Sequence, residues 1–284
     1  MANTTRKVYS SLFLKIVEKF LVTLGENEAS KESTGVVFFN NNWEGDIAQR
    51  GATVVNIPVE GNDPTVRNYI IATGIAPENI EGKNLQVIVT GSHAINELLD
   101  GYEVKTVPAK VVARRLQRSA KAFAKKIDDD GITTLEASPN ILKAGADLTK
   151  ANAYEKILDG ITKGMEDSIT FAGLITTPKV YKLIKLDPSF TKNSDMGMAQ
   201  AKNGRVGFID SIPVVVSNKL DPKTQVILVD YDHATRIKAF EVGPKLVSLD
   251  QSANFIGASA IKGRLIFKHQ LTNTKGVLVI TNER

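Results

Sequence analysis

Apolar residues recur at helical spacing in some stretches of this chain and alternate or run together in others. At the start, Phe13, Ile16, Val17, Phe20, Leu21 and Leu24 mark an amphipathic helix that Gly25 can close. Such a helix packs on its own domain, or it is an arm that packs on a neighbouring copy. In the second case Leu14, Val17 and Leu21 belong to a face buried only on assembly. The polar stretch GENEASKESTG (25–35) reads as a connector, and VVFFNNNW (36–43) as a short strand running into turn-forming asparagines. Two apolar runs follow, ATVVNIPV (52–59) and LQVIVTG (85–91), separated by about 25 residues rich in Gly, Pro, Asn and charge. Residues 51–90 therefore read as a long two-stranded projection, within which TVRNYIIATG (65–74) could add further strand.

GSHAINELLDG (91–101) reads as a turn and helix start. The clearest helix spans 108–127. Pro108 suits its first turn, Gly131 lies past its end, and Val112, Leu116, Ala120, Phe123 and Ile127 form one apolar stripe. Lys110, Arg114, Arg118, Lys121 and Lys125 fall on the opposite face. A second helix is expected across 149–167, a strand across 169–178 and a short helix across 178–186. The polar loop 187–204 follows, then GFIDSIPVVVSN (207–218), which reads as one buried strand. Its Pro213 cannot donate to a ladder, so a bulge or an edge is expected there. After TQVILVDY (224–231), residues 236–284 read as three strands of an antiparallel meander, the last two joined by TNTKG (272–276).

Composition adds constraints. Apolar residues at 42% and charged residues at 24% suit a globular protein. A net charge of +5, from 36 bases and 31 acids, is too mild to argue nucleic-acid binding from the total. With no cysteine there are no disulfides, thiolate chemistry or cysteine metal sites. No apolar run approaches the roughly 20 residues of a membrane span, and Lys15, Glu18 and Lys19 interrupt the only candidate leader.

Candidate chemistry is thin. Ser92, His93 and Asp100 are close in sequence, but adjacent Ser and His side chains rarely face one another, and no G-x-S-x-G accompanies them. Asp230, Asp232 and His233 form one cluster without a distant partner, a solvated strand end. Asp128, Asp129 and Asp130 lack the further ligands of a calcium loop. As acids at a helix C-terminus they gain nothing from the dipole, so partners are expected for them. The sequence therefore predicts no catalytic, metal or cofactor site. The basic helix face has three readings: solvated surface, phosphate contact, or contact with an acidic partner. The loop between Pro58 and Lys83 is acidic, with Glu60, Asp63, Glu78 and Glu81 against Arg67 and Lys83.

The order of parts carries a resemblance: helical arm, long two-stranded projection, long helix, α/β insertion, closing β strands. It resembles the major capsid protein of tailed bacteriophages, the Hong Kong 97-like fold. NNNWEGDIAQRGATVVNIP (40–58) resembles the family's approach to its extended loop. GRVGFIDSIPVVVSNKL (204–220) resembles its Ile-Pro-Val-Val-x-Ser strand, and AIKGRLIFKHQLTNTKGVLVI (260–280) its closing strands. The resemblance covers nearly the whole chain and implies an α+β fold. Its divisions would be an N-terminal arm (1–34), a strand and extended β-hairpin loop (35–92), and a peripheral domain with a long spine helix (93–140). An axial α/β domain (141–230) and return strands of the peripheral domain (231–284) would follow. The helical-looking HAINELLDG departs from the family's acidic turn before the spine helix.

The implied role is structural, not enzymatic, and without cofactors. Copies would form the hexamers and pentamers of an icosahedral-type shell around double-stranded DNA, without sequence specificity and without a membrane. Assembly would take place in the bacterial host cytoplasm and the product would be the virion capsid. A separate scaffolding protein is expected because the chain begins directly at the arm; a portal and a decoration protein are further implied partners. The inter-subunit contacts would join Leu14, Val17 and Leu21 to a neighbour. They would also set Glu60, Asp63, Glu78 and Glu81 against Lys110, Arg114, Arg118, Lys121 and Lys125. The alternative is a soluble nucleic-acid-binding or hydrolytic protein using the basic helix 108–127. The two extensions, 1–34 and 51–90, favour the shell, because a monomeric enzyme gains little from them.

Overall fold

The structure, a computed structural model, describes residues 39–40, 54–59, 65–69, 71, 74–78, 82–100, 109–186, 205–210, 212–249 and 257–283. The candidate arm helix lies outside the described residues, and so do Leu14, Val17, Leu21, Glu60, Asp63 and Glu81.

Eleven strands and three α-helices are described. Strands β1 (Val54–Val59) and β2 (Lys83–Ile88) pair antiparallel, with Val54 opposite Ile88 and Val59 opposite Lys83. They are the two strands of the expected projection. Between them, residues 65–69 and 74–78 carry no strand, so the added pairing expected for 65–74 is not made there.

β3 (Ser92–Leu99) occupies the segment read as a helix start. Ile95, Leu98 and Leu99 have helical spacing, but β10 (Ser259–Leu271) pairs with the segment over eight residues. That cross-strand ladder outweighs the local pattern, and exposure alternates along β3 up to the buried Leu99. β9 (Ala234–Ser248) lies on the other side of β10, completing a three-stranded sheet of order β3-β10-β9.

α1 (Ala109–Glu136) runs nine residues beyond the expected end at 127. Asp128, Asp129, Asp130 and Gly131 signal a stop locally, but distant partners hold them in the helix. Gly131 has a packing reason: a Cβ there would lie 3.1 Å from Phe39 Cε2 and 3.5 Å from His269 Nε2. The first half of α1 packs on the three-stranded sheet, with Val112 and Leu116 against Leu99 and Ile261, and Phe123 and Ile127 against Leu265 and Phe267. Gly263 lets the helix approach, since a Cβ there would lie 2.8 Å from Phe123 Cε2.

The second sheet has six strands in the order β4-β11-β8-β5-β7-β6. These are β4 (Ile141–Lys143), β5 (Gly173–Thr176), β6 (Arg205–Ile209), β7 (Ile212–Val216), β8 (Thr224–Val229) and β11 (Val277–Thr281). Every residue of β5, β8 and β11 is buried. Strands covered on both faces read as continuous apolar runs, as these do. One face, with Leu174, Leu228 and Leu278, packs on α2 (Ala153–Glu166) and α3 (Pro178–Lys185). The other, with Ile175, Ile227 and Val229, packs on Ile132 and Leu135 of α1 and on Phe39.

Two expectations change in this sheet. GFIDSIPVVVSN is a hairpin, β6 and β7, turning at Asp210 with φ 46°. β7 is flanked by β5 and β6, so Pro213 is not on an edge strand. It stands opposite Phe208, one residue before the parallel ladder to β5 begins at Val214. β11 also leaves the expected meander. A 3₁₀ turn at Thr274–Gly276 redirects the chain, and β11 inserts between β8 and β4.

Candidate functional site

The candidate site is a pair of surfaces on either side of the three-stranded sheet. Along β10, Ile261, Leu265 and Phe267 face α1. Ile266 faces the other way and packs, with Ile237 and Ala239 of β9, against Val55, Ile57, Val87 and Val89. The hairpin β1–β2 is therefore rooted on the face of the sheet opposite α1. From that root the chain projects with Val66 98%, Ile71 89% and Tyr69 69% exposed. Glu78 accepts from the Thr65 amide and the Thr65 hydroxyl, both at 3.1 Å, and lies 3.8 Å from Arg67.

Of the sequence-predicted bases, Arg114, Arg118, Lys121 and Lys125 are all exposed on α1. Lys110 belongs to α1, but its side chain lies outside the described residues. The structure brings the four side chains to one edge of the helix and does not bring Glu78 to them within one copy.

The three acids that follow are turned to internal work. Lys219 reaches Asp129 at 2.8 Å and Asp128 at 4.0 Å, and also donates to the Lys125 carbonyl at 2.9 Å. Asp130 accepts from Nδ1 of the buried His269 at 3.1 Å. Burial pushes the His269 imidazole below its ordinary value, and Asp130 partly opposes this. The hydrogen bond from His269 in turn holds the Asp130 carboxyl low. The ring is therefore neutral at pH 7, with its proton on Nδ1. Its uncharged Nε2, without a partner, faces Gly131, and Phe39 packs 4.4 Å from it centroid to centroid. Asn40, next to Phe39, bonds through its backbone to Ala234 and Arg236, at 2.9 and 2.8 Å. Burial raises the Glu136 pKa, and its carboxylate accepts from the Asp221 amide at 2.7 Å. Together these contacts tie the C-terminal half of α1 to β10 of the three-stranded sheet, through His269, and to the connection between β7 and β8 of the six-stranded sheet, through Lys219 and Asp221.

The catalytic and metal readings find no support. Ser92 and His93 are consecutive on β3 and so point to opposite faces. Ser92 Oγ accepts from Arg264 at 3.2 Å, while the His93 ring packs 5.3 Å from Phe267. Asp230, Asp232 and His233 lie in a 3₁₀ turn, where Asp230 caps the Asp232 amide at 3.2 Å. Among the described residues no group of three or more His, Cys, Asp or Glu is placed to hold a metal ion. No described helix is long and apolar enough to cross a membrane.

Sequence reasoning missed Lys219, His269 and Phe39 as partners of α1. The one signal was the unfavourable acid run at an apparent helix end. It also missed Lys245, Lys262 and Arg264, exposed on the sheet face opposite α1, with Lys245 directly across from Lys262.

Comparison with known proteins places this architecture. A family model described as phage capsid protein matches residues 108–280, more than half of the chain. A chain from Mycobacterium phage Che8 superposes with a TM-score of 0.68 at 16% identity, covering 88% of this chain and 92% of that one. A chain from the capsid structure of cyanophage P-SCSP1u gives 0.63 at 11% identity, covering 81% and 83%. A chain from the asymmetric unit of the bacteriophage PhiM1 mature capsid gives 0.57 at 14%, covering 82% and 83%. A search of curated proteins finds no match. The α+β fold is thus the tailed-phage major capsid fold that the sequence resembles. The chain belongs to the phage capsid protein family: it is a structural protein that assembles with copies of itself into the shell of a virion.

Proposed function

We propose that the shell is held together chiefly by the two extensions, residues 1–34 and the loop of 45–92, each reaching a neighbouring copy. One observation carries this reading. Val66, Tyr69 and Ile71 project almost uncovered from a hairpin whose base is packed and buried. Exposed apolar side chains grouped on one projection mark a surface that a partner covers. The six-stranded sheet with α2 and α3 forms the axial domain, and the three-stranded sheet with the first half of α1 the peripheral domain. Leu14, Val17 and Leu21 bind a neighbour through their apolar face. Glu60, Asp63, Glu78 and Glu81 meet a neighbour's cations, and the hairpin's root favours Lys245, Lys262 and Arg264 on its own side of the sheet. The protein has no catalytic role. Subunits group as hexamers and pentamers in the host cytoplasm, with scaffolding, portal and decoration proteins as further partners and double-stranded DNA as the content.

Imaging the purified protein in negative stain tests this reading. Wild-type protein forms rings or closed particles, alone or with a scaffold, and a chain with residues 62–80 replaced by a two-residue turn stays folded and unassembled. Particles of normal yield from the shortened chain would overturn the role given to the loop.

A further inference from the structure

We propose that Glu78 and Thr65 form a clasp that closes the projecting loop within its own copy and so positions Val66, Tyr69 and Ile71 for a neighbour. Glu78 is then a positioning residue before its charge meets any cation of a neighbour. The proposal rests on the shell reading and on the role given there to the loop, and adds the contact that shapes the loop.

Residues 65–69 and 74–78 are two limbs of the loop. Neither carries a strand, and among the described residues no backbone hydrogen bond crosses between them. Gly74, with φ 62°, opens the second limb in the left-handed conformation of a turn. Thr65 and Glu78 are 13 positions apart in the chain, a span that could open to the order of 40 Å if extended. The Glu78 carboxylate nevertheless takes both donors of Thr65, one on each oxygen. The amide donates to Oε2 and the hydroxyl to Oε1, each at 3.1 Å. Arg67, on the same limb as Thr65, lies 3.8 Å from Oε1. One side chain thus gathers three groups of the opposite limb and does the work that a strand ladder does at the hairpin's root.

The clasp stands in solvent, since the residues of both limbs are exposed. Its two hydrogen bonds are charge-assisted. Against them stand the chain entropy of closing the loop and the small worth of an exposed ion pair with Arg67. Closed and open loops therefore exchange in the unassembled chain. Only the closed loop holds the exposed Val66, next to Thr65, in a fixed relation to the second limb. A neighbour that binds the closed form binds more weakly in proportion to the fraction that is open. When the neighbour covers the loop and excludes water, both bonds to Glu78 strengthen, so closure and docking support each other.

The test measures particle formation against protein concentration, with thermal melting under dissociating conditions as the control for folding. Glu78→Ala should melt as wild type does and should need about tenfold more protein to form particles if it leaves one loop in ten closed. Thr65→Val changes no charge and should also raise that concentration. Thr65→Val combined with Glu78→Ala should be no worse than Glu78→Ala alone, because both remove one contact. A Thr65→Val chain that assembles as wild type, or additive effects in the pair, overturns the proposal in favour of Glu78 acting as a charge alone.

A covalent closure reads the geometry directly. The chain has no cysteine, so Thr65→Cys with Glu78→Cys supplies the two thiols for dibromobimane, which fluoresces when both its arms have reacted. The unassembled variant should become fluorescent as a monomer, and should assemble once linked although it lacks the carboxylate. Unlinked, it should fail as Glu78→Ala does. Thiols that do not link, a linked chain that stays unassembled, or an unlinked chain that assembles normally each overturn the clasp. Absence of particles from wild-type protein would instead overturn the shell reading, and the linking of the monomer is measured independently of it.

Discussion

β8 and the loop after β1 are both rich in apolar residues and have opposite fates. In β8 every residue from Thr224 to Val229 is buried, with Val226 and Leu228 in the cluster beneath α2 and α3, and Ile227 and Val229 beneath α1. In the loop, Val66, Tyr69 and Ile71 are left in the open. One region completes its core within a single copy. Under the proposed function the other is half of a core whose second half is another molecule. That proposal assigns the two regions two jobs that a shell protein must keep apart, holding its own shape and holding its neighbours.

Truncating each region should break the comparison most visibly. Leu228→Ala removes a fully buried side chain between β8 and the α2 layer, and should cost about 2–5 kcal/mol in urea denaturation of the unassembled chain. Val66→Ala should stay within about 0.5 kcal/mol in the same experiment, since nothing in its own copy covers it. Equal losses would mean the loop is packed within one copy after all.

A smaller effect is expected at the joint where α1 passes from one sheet to the other. Lys219→Met leaves the largely buried Asp128 and the Asp129 carboxylate without that cation, and should cost about 1–3 kcal/mol. Amide exchange should quicken over residues 128–136 and stay slow over 112–124. Uniform quickening along α1 would show that the two halves of the helix are not separately anchored.

The smallest effect is a pH dependence. His269 is held neutral in the fold, below its ordinary value of 6.5, chiefly by burial. Its contribution to stability is complete above 6.5 and is lost as pH falls below that value, because the unfolded chain takes up the proton first. Asp130, held below its ordinary value of 3.8 by its bond to His269, adds a second loss at more acidic pH with the same sign. His269→Gln should flatten the first decline in thermal midpoint as pH falls below 6.5. A decline of unchanged depth would place the responsible group elsewhere.

The regular parts of the fold were legible in the sequence where local pattern and tertiary context agree. The apolar stripe Val112, Leu116, Phe123 and Ile127 gave α1 its position, and the run at 224–229 gave β8. Reading failed where a distant partner decides. The end of α1 depends on His269, 139 residues from Asp130. β3 looks helical through Ile95, Leu98 and Leu99 and becomes a strand because β10 is there to pair with it. β11 looks like the next strand of a meander, and only the place between β8 and β4 reveals where it goes. Of the candidate site, the four α1 bases could be named from spacing alone. Their isolation from Asp128–Asp130 could not, because Lys219 and His269 carry no local sign of it.

The central claim is that the projecting loop serves assembly and not the stability of its own copy. The most direct measurement compares wild type with Val66→Asp, Ile71→Asp by sedimentation velocity under assembling conditions and by thermal melting under dissociating ones. The account predicts the same melting midpoint within a degree or two, with particles present in wild type and absent from the variant. Particles of normal size and yield from the variant, or a variant that melts well below wild type as a monomer, would contradict it.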